Sequence, residues 1–76
     1  MNESSAGAIL TLRGEYIALA HAVKAVGLAD TGGQAKQMVR AGDILVNGVM
    51  AVQPGRKLRV GDHFGIAGGP EWTISS

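Results

Sequence analysis

A chain of 76 residues and 7.8 kDa makes one domain with a small core, since a domain this short buries only about 60% of the surface its unfolded form exposes. It has no cysteine, which excludes disulfides, thiolate metal sites and a cysteine nucleophile together. A hydrophobic fraction of 46% suits a globular domain, and a net charge of +1 gives no compositional sign of a nucleic-acid partner.

Met1–Gly7 is polar and reads as a flexible tail, leaving 8–76 as the folded domain. It has no basic stretch followed by an apolar run, so it is not a signal peptide. Ala8–Arg13, rich in Ile, Leu and Thr, predicts an edge strand ended by Gly14. From Glu15 the period changes. Tyr16, Leu19, Ala20, Val23, Val26 and Gly27 fall on one face of a helix, with Gly27 at its end and Leu28 as the usual hydrophobic contact just beyond. The nearly apolar run Tyr16–Ala29 is interrupted by His21 and Lys24 and is shorter than the roughly 20 residues that span a bilayer. The expectation is a soluble, cytoplasmic protein with no membrane partner.

Asp30 or Thr31 can cap a second helix. Ala35, Met38, Val39 and Gly42 line its inner face, while Gly33, Lys36, Gln37 and Arg40 share the opposite one. After Asp43 the period drops to two. Ile44–Val46 runs into Asn47-Gly48, the strongest short hairpin signal, and Val49–Val52 returns antiparallel. Pro54-Gly55 turns the chain into Arg56–Val60, where Leu58 and Val60 point one way and Lys57 and Arg59 the other. Gly61-Asp62 turns again, Phe64 and Ile66 resume the alternation, Gly68-Gly69-Pro70 breaks it, and Trp72–Ile74 forms a last strand. Helices followed by short strands make an α+β order.

Enzyme chemistry has little to stand on. His21 lies mid-helix and His63 beside a turn, neither with a paired carboxylate near it in sequence. Ser4, Ser5, Ser75 and Ser76 sit in the ends of the chain, poor places for a held nucleophile. Gly32-Gly33 precedes a helix without the lysine and serine of a phosphate loop, and is read as a flexible entry. No catalytic residue, metal or cofactor is expected.

Charge placement is more informative than net charge. Lys36, Arg40, Arg56, Lys57 and Arg59 stand against Asp43 alone, a net +4 between residues 36 and 59. The rest of the chain sets Arg13 and Lys24 against five acids, a net −3. Such asymmetry is the form an electrostatic footprint takes when total charge is near zero. A solvated helix face with an edge strand defended by cations fits as well. Charge alone leaves both readings open.

The ordered set Ile17-Ala18-Leu19, Lys24, Gly27, Thr31-Gly32-Gly33-Gln34-Ala35-Lys36, Gly42-Asp43, Val46-Asn47-Gly48 and Gly61-Asp62 resembles the αL RNA-binding motif. That is the S-four module, named after the fourth protein of the small ribosomal subunit. The likeness runs from about Ile17 to Phe64 and is strongest to small stand-alone bacterial proteins of YbcJ-like type. It implies two antiparallel helices packed on a small antiparallel sheet, with RNA bound along the second helix and the adjoining strand and loop. The family's contact positions fall on Thr31, Lys36, Gln37, Arg40 and Asn47, and Arg56, Lys57 and Arg59 extend the surface. Independently of the resemblance, Lys36 and Arg40 lie one turn apart and can meet phosphates on one side. Asn47 is also the residue the hairpin turn itself demands, and that role outweighs contact with RNA. Lys24, away from the core face, is equally a solvated charge. Two positions depart from the family pattern: Ala18-Leu19-Ala20 stands where many relatives have Arg-Leu-Asp, and Gly32 where many have arginine.

The expected function is therefore a non-enzymatic, monomeric RNA-binding module whose partner is structured RNA, ribosomal RNA or an assembling ribosomal subunit. The module also occurs fused to pseudouridine synthases, methyltransferases and a synthetase, and no such catalytic domain fits in this chain. One alternative is a protein-interaction module on the same fold. Another is a ubiquitin-like sulfur carrier, suggested by Gly68-Gly69, although those carriers need the glycine pair at a free carboxyl end and Pro70–Ser76 follow here.

Overall fold

The computed structural model describes residues 8–76, and the expected tail, residues 1–7, lies outside them. Ile9–Thr11 forms strand β1, and Ile17–Ala18 forms a short β2 that runs directly into helix α1, Leu19–Ala25. The helix expected from Glu15 thus starts four residues later. Ala18 at its N-cap offers no side-chain acceptor. Instead, the N–H groups of Leu19 and Ala20 donate to the carbonyls of Arg56 and Pro54, at 2.8 and 2.9 Å. A loop from far down the chain satisfies donors that a local Ser, Thr or Asp usually takes.

Helix α2, Gly32–Arg40, is capped locally. Thr31 Oγ1 accepts from the Gln34 N–H at 3.0 Å, and Gln34 Oε1 accepts from the Asp30 N–H at 2.8 Å. This reciprocal pair chooses Thr31 over Asp30 as the cap. Both helices end in the same way. The Leu28 N–H reaches the Val23 carbonyl, and that of Asp43 reaches Met38, each at 3.2 Å. Gly42, at φ +84°, makes the left-handed step such a closure requires at little steric cost.

Strands β3 (Ile44–Val46) and β4 (Val49–Met50) form the expected hairpin, with Asn47 and Gly48 at φ of 52° and 83°. Two positive values are what the tight primed turn demands. Beyond them lie β5 (Lys57–Leu58), β6 (His63–Ile66) and β7 (Glu71–Ser75). The main sheet has the order β1-β7-β6-β3-β4, and β2 pairs with β5 in a separate two-stranded sheet.

The expectation of a small antiparallel sheet is corrected here: β1 runs parallel to β7, with Ile9 opposite Thr73 and Leu10 opposite Ile74, so the main sheet is mixed. A parallel pair needs a long crossover, and the entire intervening domain supplies it. Strand periodicity cannot show this, because it carries no information about the partner's direction. Three strands are also shorter than expected, the first being Ala8–Arg13, which contracts to Ile9–Thr11. The return strand stops at Met50 rather than Val52, and Arg56–Val60 contracts to Lys57–Leu58. Leu58 is buried, while Val60, expected beside it, is exposed because the strand has already ended.

One core joins helices and sheets. Leu19 and Val23 of α1, Val39 of α2, and Ile44, Leu58, Phe64 and Ile74 of the strands are all fully buried. Each such side chain contributes about 1.5–3 kcal/mol by leaving water. Trp72 packs on the rim, its ring stacked on Phe64 at 5.8 Å between centroids.

Candidate nucleic-acid interface

Helix α2 divides cleanly into two faces. Ala35 and Val39 are fully buried and Met38 partly so, while Lys36, Gln37 and Arg40 are exposed. Lys36 and Arg40 stand one turn apart. Among the described residues neither has a carboxylate within ion-pair distance; the pair present there joins His63 and Glu71. Thr31, just before the helix, is exposed too, with its oxygen engaged as the cap.

The packing of α1 on α2 brings Lys24, which the sequence left open between a contact and a solvated charge, to the same cleft as Lys36. Lys24 and His21 of α1, together with Gly32 and Lys36 of α2, line a cleft of about 330 Å³. It is floored by Ala18 and Ala20 and closed by Pro54 and Gly55. Hydrogen bonds from Leu19 and Ala20 hold that loop against the start of α1. In the sequence, Lys24 was marked by its place off the core face of the first helix and by its match to the family pattern.

Arg56, Lys57 and Arg59 are exposed as expected, but none of them lines the Lys36 cleft. Arg56 opens on a separate depression with Met50, Val52 and Gln53. Lys57 places Nζ 4.8 Å from the centroid of the Tyr16 ring. Arg59 is held through its backbone, whose N–H donates to Asp62 Oδ2 at 2.8 Å.

Asn47 is engaged in the fold itself. Its Nδ2 donates to Asp62 Oδ1 at 3.2 Å, and its Oδ1 accepts from the His63 N–H at 3.1 Å. The Asp62 carboxyl lies below its usual range, chiefly because the Arg59 backbone N–H donates to it. Partial burial opposes that effect, and the Asn47 amide and the charges of Arg56 and Arg59 reinforce it.

The strand register also creates a pair with no sequence signal. His63 lies opposite Thr73 and Gly65 opposite Glu71, so His63 and Glu71 are diagonal neighbours on one face. His63 Nδ1 lies 2.7 Å from Glu71 Oε2. Both are about half exposed, and among the described residues no group of three or more His, Cys, Asp or Glu could hold a metal ion. Gly68 and Gly69 lie in the turn between β6 and β7, where the Gly69 N–H donates to the Ile66 carbonyl at 2.8 Å. The strand that follows them is an interior member of the sheet, an arrangement unlike a carrier's free tail. No helix among the described residues is long and apolar enough to cross a membrane.

Two helices packed with a small mixed sheet, one helix exposing Lys36, Gln37 and Arg40, make an α+β module. The family model of the S4 domain matches residues 10–74 of the 76, and the chain belongs to that family, the S-four module of the resemblance. S4 domains are in general RNA-binding and non-enzymatic. Comparison with curated proteins gives no match.

Proposed function

We propose that this protein is a monomeric, cytoplasmic, bacterial-type module that binds structured RNA, namely ribosomal RNA or an assembling ribosomal subunit. The exposed face of α2 is the centre of the contact. Lys36 and Arg40 meet phosphates, Gln37 donates to a phosphate, a ribose hydroxyl or a base edge, and Thr31 marks the end of the face. Lys24 joins them across the cleft, and Arg56, Lys57 and Arg59 supply attraction from the flanks rather than from the same surface. Asn47 serves as a positioning residue, its amide committed to Asp62 and His63.

The observation that carries this reading is the division of α2, with Ala35 and Val39 buried against the core and Lys36 and Arg40 exposed one turn apart. Titration of a stem-loop RNA with the wild type and the K36E/R40E double variant tests it. The wild type is expected to bind and the folded variant to lose binding.

One observation favours a second reading, a protein-interaction module. Val49, Met50 and Val52 are each at least half exposed along the edge strand β4 and the residues after it. An open apolar edge can accept a partner strand. Copurification of a protein through β4, unaffected by K36E/R40E, would support it.

A further inference from the structure

Tyr16 was expected on the core face of the first helix, and the structure places it outside that helix altogether. Phe64 is fully buried and Trp72 stacks upon it, whereas Tyr16 is 47% exposed. Its position is nevertheless well held. The next residue, Ile17, pairs with Leu58, and Ala18 pairs with Lys57. Lys57 in turn extends over the ring, with Nζ 4.8 Å from the centroid. A cation so placed restrains the ring and adds positive charge beside it.

The same ring borders a cleft of about 590 Å³ on which Arg13 and His21 also open, above Leu12, Ile17 and Ala18. Lys57 does not line this cleft, and neither does Glu15, the one acid between Arg13 and Lys24. The site therefore combines a flat aromatic ring, the apolar side chains of Leu12, Ile17 and Ala18, and one cation, Arg13. His21 and Ala18 line the Lys36 cleft as well. The two depressions share a wall, and a track of side chains leads from Lys36 and Lys24 over His21 to Tyr16 and Arg13.

We infer that Tyr16 is a stacking platform for one unpaired base of the bound RNA, with Arg13 and His21 beside its flanking phosphates. The inference rests on the RNA-binding reading and deepens it: the ligand is a helix carrying a bulged or loop-edge nucleotide. The paired part lies on α2 and the extruded base on Tyr16. A flat ring offers every base the same π-face, so this contact selects an unstacked nucleotide rather than a particular sequence. The Arg13 guanidinium complements a phosphate beside such a nucleotide, which a purely apolar partner would leave unmatched.

The test compares two blunt-ended RNA duplexes, without loops, that differ only in a single bulged 2-aminopurine. Wild-type protein is expected to bind the bulged RNA about tenfold tighter than the fully paired one and to quench the 2-aminopurine fluorescence, a ratio within the range found for base–aromatic stacking. Y16A is expected to lose that preference and the quenching while keeping its affinity for the paired RNA, and Y16F to retain both. Because Tyr16 is exposed, both variants should match the wild type in circular dichroism and melting. Equal wild-type binding to the two RNAs, or a Y16A variant that weakens both alike, overturns the inference and leaves the RNA-binding reading standing. A wild type that binds neither RNA overturns both.

Discussion

The side-chain amide of Asn47 donates to the carboxylate of Asp62 across 3.2 Å, joining the turn of one hairpin to the turn that precedes β6. The other oxygen of Asp62 accepts from the Arg59 N–H at 2.8 Å, so one carboxylate serves two donors from different parts of the chain. A carboxylate offers two acceptors, while the isosteric amide offers one acceptor and one donor. D62N therefore turns one of these contacts into donor against donor. Replacing a charged hydrogen-bond acceptor costs on the order of 1–2 kcal/mol, and urea melts at neutral pH are expected to show a loss of that size.

The same group gives stability a direction in pH. The folded-state pKa of Asp62 lies below the ordinary 3.8, so its charged form is favoured by folding. Its contribution is complete well above 3.8 and is lost as pH falls below that value and through the folded-state pKa. The gap in stability between wild type and D62N should be constant from neutral pH down to about pH 5 and narrow below about pH 4. A gap that widens on acidification would contradict the assigned network.

K36E/R40E removes two cations from the exposed face of α2 and touches no buried group. Surface changes of this kind alter stability by less than about 0.5 kcal/mol, so the melting temperature should hardly move. RNA binding should be abolished. Retained affinity in the folded double variant would show that α2 is not the contact surface.

Affinity should follow salt. If three to five phosphates are neutralised, log affinity falls with log salt at a slope of about −2 to −4. Folded RNA should bind better than an unstructured strand of equal length, because the aromatic residues offer few platforms: Phe64 is buried, Trp72 stacks on it, and Tyr16 alone is set at the surface. Matched hairpin and unstructured RNAs titrated at several salt concentrations check both expectations. A slope near zero, or tighter binding of the unstructured strand, would reject recognition by shape and phosphate.

Gly65 is required by a close approach rather than by its backbone angles. A Cβ at this position would lie 2.2 Å from the Pro70 carbonyl oxygen and 2.7 Å from the Glu71 Cα. Both are backbone atoms of the adjoining strand and its turn, so relief requires β6 and β7 to separate. G65A is expected to destabilise the fold by about 2–3 kcal/mol, in the range of overpacked cores, with urea unfolding as the measure. A change below about 0.5 kcal/mol would show that the β6–β7 hairpin yields easily.

Local chemistry was legible in the residues themselves. The Asn47-Gly48 turn, the glycine closures of both helices, a cap at Asp30 or Thr31 and the two faces of α2 each depend on groups within a few positions of one another, where spacing and side-chain type suffice. The start of α1 was not legible, because its first N–H groups are satisfied by the carbonyls of Pro54 and Arg56. The parallel pairing of β1 with β7 was hidden for the same reason, since alternation marks a strand and says nothing about its partner. Likewise, the exposed charges of α2 could be read from helical period alone. That Lys24 shares a cleft with Lys36, that Tyr16 stands outside the core under Lys57, and that Arg56 and Lys57 have different neighbours were decided only in three dimensions. Contacts between residues distant along the chain arise from packing, and no local pattern of side chains encodes which distant backbone will arrive.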